Sequence, residues 1–130
     1  MIVVGYSADP FGRSALEHAI AEAKLRQTNL LVINSTTGEA YADPRFAQTG
    51  EIHDVERHLA ACGVEFELSQ PVGVNTADEL LKAMGHDDAE LLVIGIRHRS
   101  PVGKLLLGSV SQQLLLECPK PVLAVKPEEG

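Results

Sequence analysis

LLVIGIRHRSPVGKLLLGSV, residues 91–110, is the stretch from which the fold of this chain is read. Leu91 to Gly95 is an unbroken apolar run, too short for a helix and not alternating, which is the pattern of a parallel strand covered on both faces. A basic loop carrying Arg97, His98, Arg99 and Lys104 follows, and Gly108-Ser109 then opens a helical segment. Ser109 and Gln112 stand in the S-x-x-Q relation of a capping box ahead of the apolar run Leu114-Leu115-Leu116, which predicts that Ser109 caps this helix. The first N–H groups of a helix have no intrahelical partner, and the helix dipole adds partial positive charge at the same place. A buried strand, a basic loop and a helix N-terminus in this order predict a site for a phosphate-bearing ligand.

Upstream of that stretch the chain repeats its plan. Ile2 to Tyr6 reads as a buried strand, and Asp9-Pro10 as an N-cap followed by proline at the first helical position. Ala15, Leu16, Ala19, Ile20 and Ala23 give the helix behind it one apolar stripe. Leu30 to Ile33 is a second buried strand. Ile52, Val55, Leu59 and Cys62 mark a second helix stopped by Gly63. Val64 to Leu68 alternates apolar and acidic residues, as a half-exposed strand at a sheet edge does. Thr76 and Glu79 form a further capping box ahead of Ala77, Leu80, Leu81 and Met84. Downstream, Pro119-Lys120-Pro121 ends the fourth helix and Val122 to Val125 is the fifth strand.

Strands alternating with helices predict an α/β fold: an open, doubly wound, five-stranded parallel sheet with helices on both faces. The half-polar third strand belongs at an edge, so the expected strand order is 3-2-1-4-5. Strands one and four then lie side by side where the order reverses, which is where ligands bind in such sheets. Glu39 to Gln48 is long for a strand-to-helix connection; it reads either as a cover for a site or partner surface or as a plain surface loop. Val122 to Val125 is an apolar strand at the other edge, and an exposed apolar edge calls for a partner. Pairing with its own copy about a two-fold axis predicts a homodimer.

The 130 residues suit a single domain, 1–130. The net charge of −7 disfavours nucleic acid and anionic membrane as partners. Yet residues 91–116 contain no acidic side chain, and a basic island on an acidic protein suits a small anionic ligand. No apolar run approaches the ~20 residues of a membrane span, and Met1 leads straight into a strand without the features of a signal peptide; a cytoplasmic protein is expected. Cys62 and Cys118 have neither zinc nor redox spacing, so free thiols and no metal are expected. Gly103-Lys104 is not a P-loop, because His98 stands at its first glycine and Leu105 at its hydroxyl position. Ser35-Thr36-Thr37-Gly38 follows the second strand rather than the first, unlike a flavodoxin phosphate loop. Strand three runs out at Ser69-Gln70, without the aspartate of a response regulator. Ser109, His98 and Asp9 read more simply as cap, loop and cap than as a hydrolytic triad.

The whole chain resembles the universal stress proteins of the UspA type. Asp88 to Gly95 is similar to the family's A-D-L-I-V-M-G run, and Pro121 to Lys126 to its closing strand. The family's nucleotide motif, G-x-x-G, nine residues, G-[ST], is matched in spacing by Gly95-Ile96-Arg97-His98 and Gly108-Ser109, with His98 at the second glycine. Ser7 stands where nucleotide-binding members carry an aspartate, and Asp9 lies two residues on. The resemblance implies a regulatory or stress-response module, usually a homodimer, and not a fast enzyme, with slow ATPase activity left open. It implies an adenine nucleotide (ATP, AMP or cyclic AMP) as ligand. The base would lie near Ser7, Asp9 and Ser35. The phosphates would lie along Ile94, Gly95, Arg97, His98, Lys104, Gly108, Ser109, Val110 and Ser111. Because the family also contains members that bind no nucleotide, a nucleotide-free dimeric interaction protein of the same fold is the alternative.

Overall fold

The computed structural model describes residues 1–38, 42–96 and 108–127. Their elements are β1 (Ile2–Gly5), α1 (Pro10–Arg26), β2 (Leu30–Ile33), α2 (Thr49–Cys62), β3 (Phe66–Ser69), α3 (Thr76–Met84), β4 (Leu91–Gly95), α4 (Ser109–Glu117) and β5 (Val122–Val125). The sheet is five-stranded in the order β3-β2-β1-β4-β5, and every pairing is parallel, as expected. Side chains alternate across the central strands. Ile2, Val4, Leu91 and Val93 join α1 and α2 in one core. Val3, Leu92 and Ile94 join α3 and α4 in the other. β1 and β4 are therefore apolar throughout because each feeds a core on both faces. Full burial of one such side chain contributes about 1.5–3 kcal/mol.

The edge assignment of the acidic strand is borne out: Phe66 and Leu68 are half-buried while Glu67 and Ser69 face solvent. Its pairing starts at Phe66, opposite Leu30, and not at Val64, which is buried but lies ahead of the ladder. Gly63 closes α2 with φ 75°, a left-handed conformation suited to glycine.

One cap stands at the expected residue and two are displaced. Asp9 caps α1, accepting the Gly12 N–H at 2.9 Å, with Pro10 in the first turn. At α3 the cap is Asn75, whose side chain accepts the Asp78 N–H at 3.0 Å. Asparagine caps as well as threonine does, so Thr76 becomes the first helical residue and its hydroxyl is released for another contact. At α4 the cap position falls on Gly108, and Ser109 is the first helical residue with no side-chain cap hydrogen bond. Gly108 has φ −65° and open space where a Cβ would stand, so neither a left-handed backbone nor crowding by the described residues requires glycine there.

Glycine is required at two other positions. A Cβ on Gly95 would lie 2.2 Å from the carbonyl oxygen of Phe11, and one on Gly12 would lie 1.9 Å from that of Ser7. The first turn of α1 is thus seated against the ends of β1 and β4. Gly95→Ala and Gly12→Ala should each destabilise the protein by about 1–3 kcal/mol, as overpacking does, even though alanine is the better helix former at position 12. Gly108→Ala should stay within about 0.5 kcal/mol of the parent. Urea denaturation of the three variants checks the contrast; equal stabilities would contradict it.

Candidate functional site

A cleft of about 440 Å³ opens at the carboxyl ends of β1, β2 and β4. β1 runs to β2 on one side and pairs with β4 on the other, so the cleft sits where the strand order reverses. Of the residues expected at a site, Ser7, Asp9, Ser35, Ile94, Gly95, Gly108, Val110 and Ser111 line it together. Ser109 heads α4 and is exposed, outside this lining. Arg97, His98 and Lys104 lie outside the described residues, as does Arg99; the flanking Ile96 and Gly108 both line the cleft. A second hollow, of about 510 Å³, lies at the opposite end of the strands, beside Gln27, Thr28 and Gly63, away from these residues.

The end of β1 is tied to itself. The Ser7 hydroxyl donates to Asp9 Oδ1 at 2.8 Å, the same oxygen that caps α1. Tyr6 is 5% exposed and its hydroxyl donates to Glu51, fastening β1 to the start of α2. Burial and then the hydrogen bond to Glu51 push the Tyr6 hydroxyl well above its ordinary pKa.

The residue that shapes the cleft belongs to no motif in the sequence. Asn34 follows β2, is 1% exposed, and satisfies every polar atom of its amide. Its Nδ2 donates to the carbonyls of Tyr6 at 2.8 Å and Arg45 at 3.1 Å. Its Oδ1 accepts from the Ala47 N–H at 2.7 Å and from Gln70 Nε2 at 3.1 Å. One side chain therefore joins the ends of β1, β2 and β3 to the segment 42–47. Truncating it strands several buried groups at about 1–3 kcal/mol each.

Of the long connection after β2, the described part is a wall of the cleft, not a plain surface loop, since Asp43 and Arg45 line it. Thr36, 1% exposed, donates its hydroxyl to Asp43 Oδ2 at 2.8 Å. Asp43 Oδ1 accepts the Arg45 N–H at 3.0 Å and lies 3.6 Å from Arg45 Nε. Burial works to raise the Asp43 carboxyl. The hydrogen bonds from Thr36 and the Arg45 amide, with the Arg45 charge, outweigh it and hold the carboxyl below its ordinary value of 3.8. On the facing wall the Thr76 hydroxyl, freed from capping, accepts from Ser35 at 2.9 Å.

The helix N-termini at this end differ. Asp9 caps α1, and Asn75 caps α3, which also carries Asp78 and Glu79 in its first turn. α4 has neither a side-chain cap nor an acidic residue in its first turn, and its Gly108, Val110 and Ser111 line the cleft. Its first N–H groups have no side-chain cap among the described residues, and with the helix dipole they can meet an anion. Among the described residues no group of three His, Cys, Asp or Glu is placed to hold a metal ion. Both cysteines are free and half-buried.

Residues 1–126 match the model of the universal stress protein family. The chain belongs to that family. It is 74% identical over 127 residues to a universal stress protein of Mycolicibacterium smegmatis, covering 98% of each chain. It superimposes on the structure of a universal stress protein from Archaeoglobus fulgidus with TM-score 0.69 and 30% identity, covering 96% of this chain and 97% of the other. Two further universal stress protein structures share the fold. One, also from Archaeoglobus fulgidus, is a complex with dAMP (TM-score 0.60, 22% identity, 96% of each chain). The other is a complex with cAMP (TM-score 0.70, 21% identity, 98% of this chain and 96% of that one). Within this universal stress protein, Gly95 and Gly108 both line the cleft.

The Thr36–Asp43 contact gives a pH-dependent test of the cleft wall. A depressed folded-state pKa makes the Asp43 contribution to stability complete above the ordinary carboxylate value, and it is lost as pH falls through the folded value. Thr36→Val removes one of the hydrogen bonds that lower it. Asp43 should therefore titrate at higher pH in the variant than in the parent when its carboxyl carbon is followed by NMR. An unchanged titration would contradict the assignment.

Proposed function

We propose that this universal stress protein is a regulatory module that binds an adenine nucleotide in the cleft at the carboxyl ends of β1, β2 and β4. The observation that carries the reading is the N-terminus of α4, which has no side-chain cap among the described residues and no acidic residue in its first turn, and which lines the cleft together with Gly95. Phosphates would lie along Ile94, Gly95 and Gly108 to Ser111, with Arg97, His98 and Lys104 supplying charge from the loop between. The nucleoside would lie toward Ser7, Asp9 and Ser35. The dAMP and cAMP complexes of two fold relatives support an adenine nucleotide. Binding and not turnover is the proposed activity. Two free thiols and no described helix long and apolar enough to cross a membrane are compatible with action in the cytoplasm.

One observation favours the alternative, an interaction protein without nucleotide: Ser7 and Asp9 are already hydrogen-bonded to each other. Mass spectrometry of ligand released from freshly purified protein, and calorimetric titration with ATP, AMP and cyclic AMP, separate the two. The parent should bind at least one of the three. Gly108→Val should abolish that binding while leaving the fold intact, because the position is open. Changing Arg97, Arg99 and Lys104 together to glutamine should weaken binding by about 1.5–3 kcal/mol for each charged hydrogen bond to phosphate that is removed, and binding should fall with added salt. A parent that carries no ligand and shows no heat with any of the three makes the interaction protein the better account.

The proposed assembly is a homodimer through β5. This strand pairs only with β4, so its other edge has no described partner, and Val122, Leu123 and Ala124 are half-buried. On the neighbouring α4, Leu115 is 40% and Leu116 85% exposed. Antiparallel pairing of two β5 edges about a two-fold axis would satisfy the backbone groups of both. Light scattering at micromolar concentration should give a dimer mass for the parent and a monomer mass for Ala124→Pro, which removes an N–H from the free edge of β5 while the ladder to β4, made through Pro121 and Val125, is kept. A monomeric parent would overturn this assembly.

A further inference from the structure

The segment 42–47 is held more firmly than a surface connection needs to be. At Arg45 both backbone polar groups are engaged: the carbonyl accepts from Asn34 Nδ2 at 3.1 Å and from the Ala8 N–H at 2.9 Å, and the amide donates to Asp43 at 3.0 Å. The side chain is nonetheless 72% exposed, and among the described residues its ion pair is with Asp43, 3.6 Å from Nε. Among the described residues that line the cleft, Arg45 is the one carrying positive charge.

Position and charge decide what that guanidinium meets. β1 lies between β2 and β4, so the ends of β2 and β4 on the two sides of the cleft are about 10 Å apart at the usual strand spacing, roughly the length of a nucleoside. Phosphates at α4 leave the base beside Arg45. The Arg45 charge is also matched by Asp43, and Asp9 adds a further carboxylate on the β1 side. Phosphates would meet net negative charge there, whereas a neutral aromatic ring meets a planar, weakly hydrated cation suited to stacking.

We propose that Arg45 is a base-recognition residue, its guanidinium lying on the face of the nucleobase while Asp43 holds it at the cleft wall. The assignment rests on the nucleotide reading above and adds to it the group that recognises the base.

Calorimetry with adenosine, AMP and inorganic tripolyphosphate tests it on the parent, Arg45→Ala and Arg45→Lys, with thermal melting to show that the exposed substitutions leave the fold unchanged. Arg45→Ala should weaken adenosine and AMP by the same factor, about fivefold for an exposed stacking cation, and leave tripolyphosphate unchanged. Arg45→Lys should lose as much, because it keeps the charge without the plane. Loss of AMP and tripolyphosphate affinity with adenosine unaffected would assign Arg45 to the phosphates and overturn the proposal, as would unchanged affinity for all three. A parent that binds tripolyphosphate but neither adenosine nor AMP, or none of the three, overturns the nucleotide reading and this assignment with it.

Discussion

The first turn of α1 lies in backbone contact with the ends of two strands, and the rest of the cleft depends on that contact. Gly95 ends β4 with no side chain because the Phe11 carbonyl occupies the space where one would stand, and Gly12 admits the Ser7 carbonyl in the same way. Lacking a Cβ at both points, the chain leaves β1, turns within Tyr6 to Asp9 and enters α1 with almost no excursion from the sheet. β1 and β4 stay side by side beneath this turn, and the crevice left beyond them is bounded by whatever follows β2 and by the start of α4. A glycine at the end of β4 thus has a packing reason to be there independent of any ligand.

The wall that follows β2 is built from polar groups buried with their hydrogen bonds intact. Asn34 makes hydrogen bonds at both ends of its amide, and Thr36 gives its hydroxyl to Asp43. Fully satisfied buried polar networks specify one geometry, since any shift leaves a donor or acceptor unpaired at a cost of one to a few kcal/mol. Segment 42–47 is consequently a preformed surface. Together with α4, which has no side-chain cap among the described residues, it gives the cleft two unlike ends: one with a helix N-terminus and its positive dipole, the other with a carboxylate and a guanidinium held together. The nucleotide proposed as ligand has the same asymmetry, an anionic end and a neutral, planar one.

The acidic protein and its basic island are consistent with the same division. The net charge is −7 while residues 91–116 carry no acidic side chain, so that stretch of sequence is a local basic island on an acidic chain. Such a distribution favours small ligands over polyanions, whose further phosphates would meet the acidic remainder. Membership of the universal stress protein family sets this cleft within a fold whose solved relatives include nucleotide complexes.

The sequence by itself determined the strand order and the two cores, because period and polarity are local properties: apolar runs such as Leu91 to Gly95 must be covered on both faces, and the alternation around Phe66 must lie at an edge. It also located Ser7, Asp9, Ser35, Gly95 and the α4 start at one end of the sheet, since strand ends follow from strand order. Tertiary structure alone decided the caps at α3 and α4, where the competing candidates Asn75 and Thr76, or Gly108 and Ser109, differ by one residue of backbone conformation that no pattern encodes. It alone revealed Asn34, Asp43 and Arg45 as the cleft wall. Their partners are distant in sequence, and a lone asparagine after a strand looks the same whether it ends a turn or, as here, ties three strands to a loop.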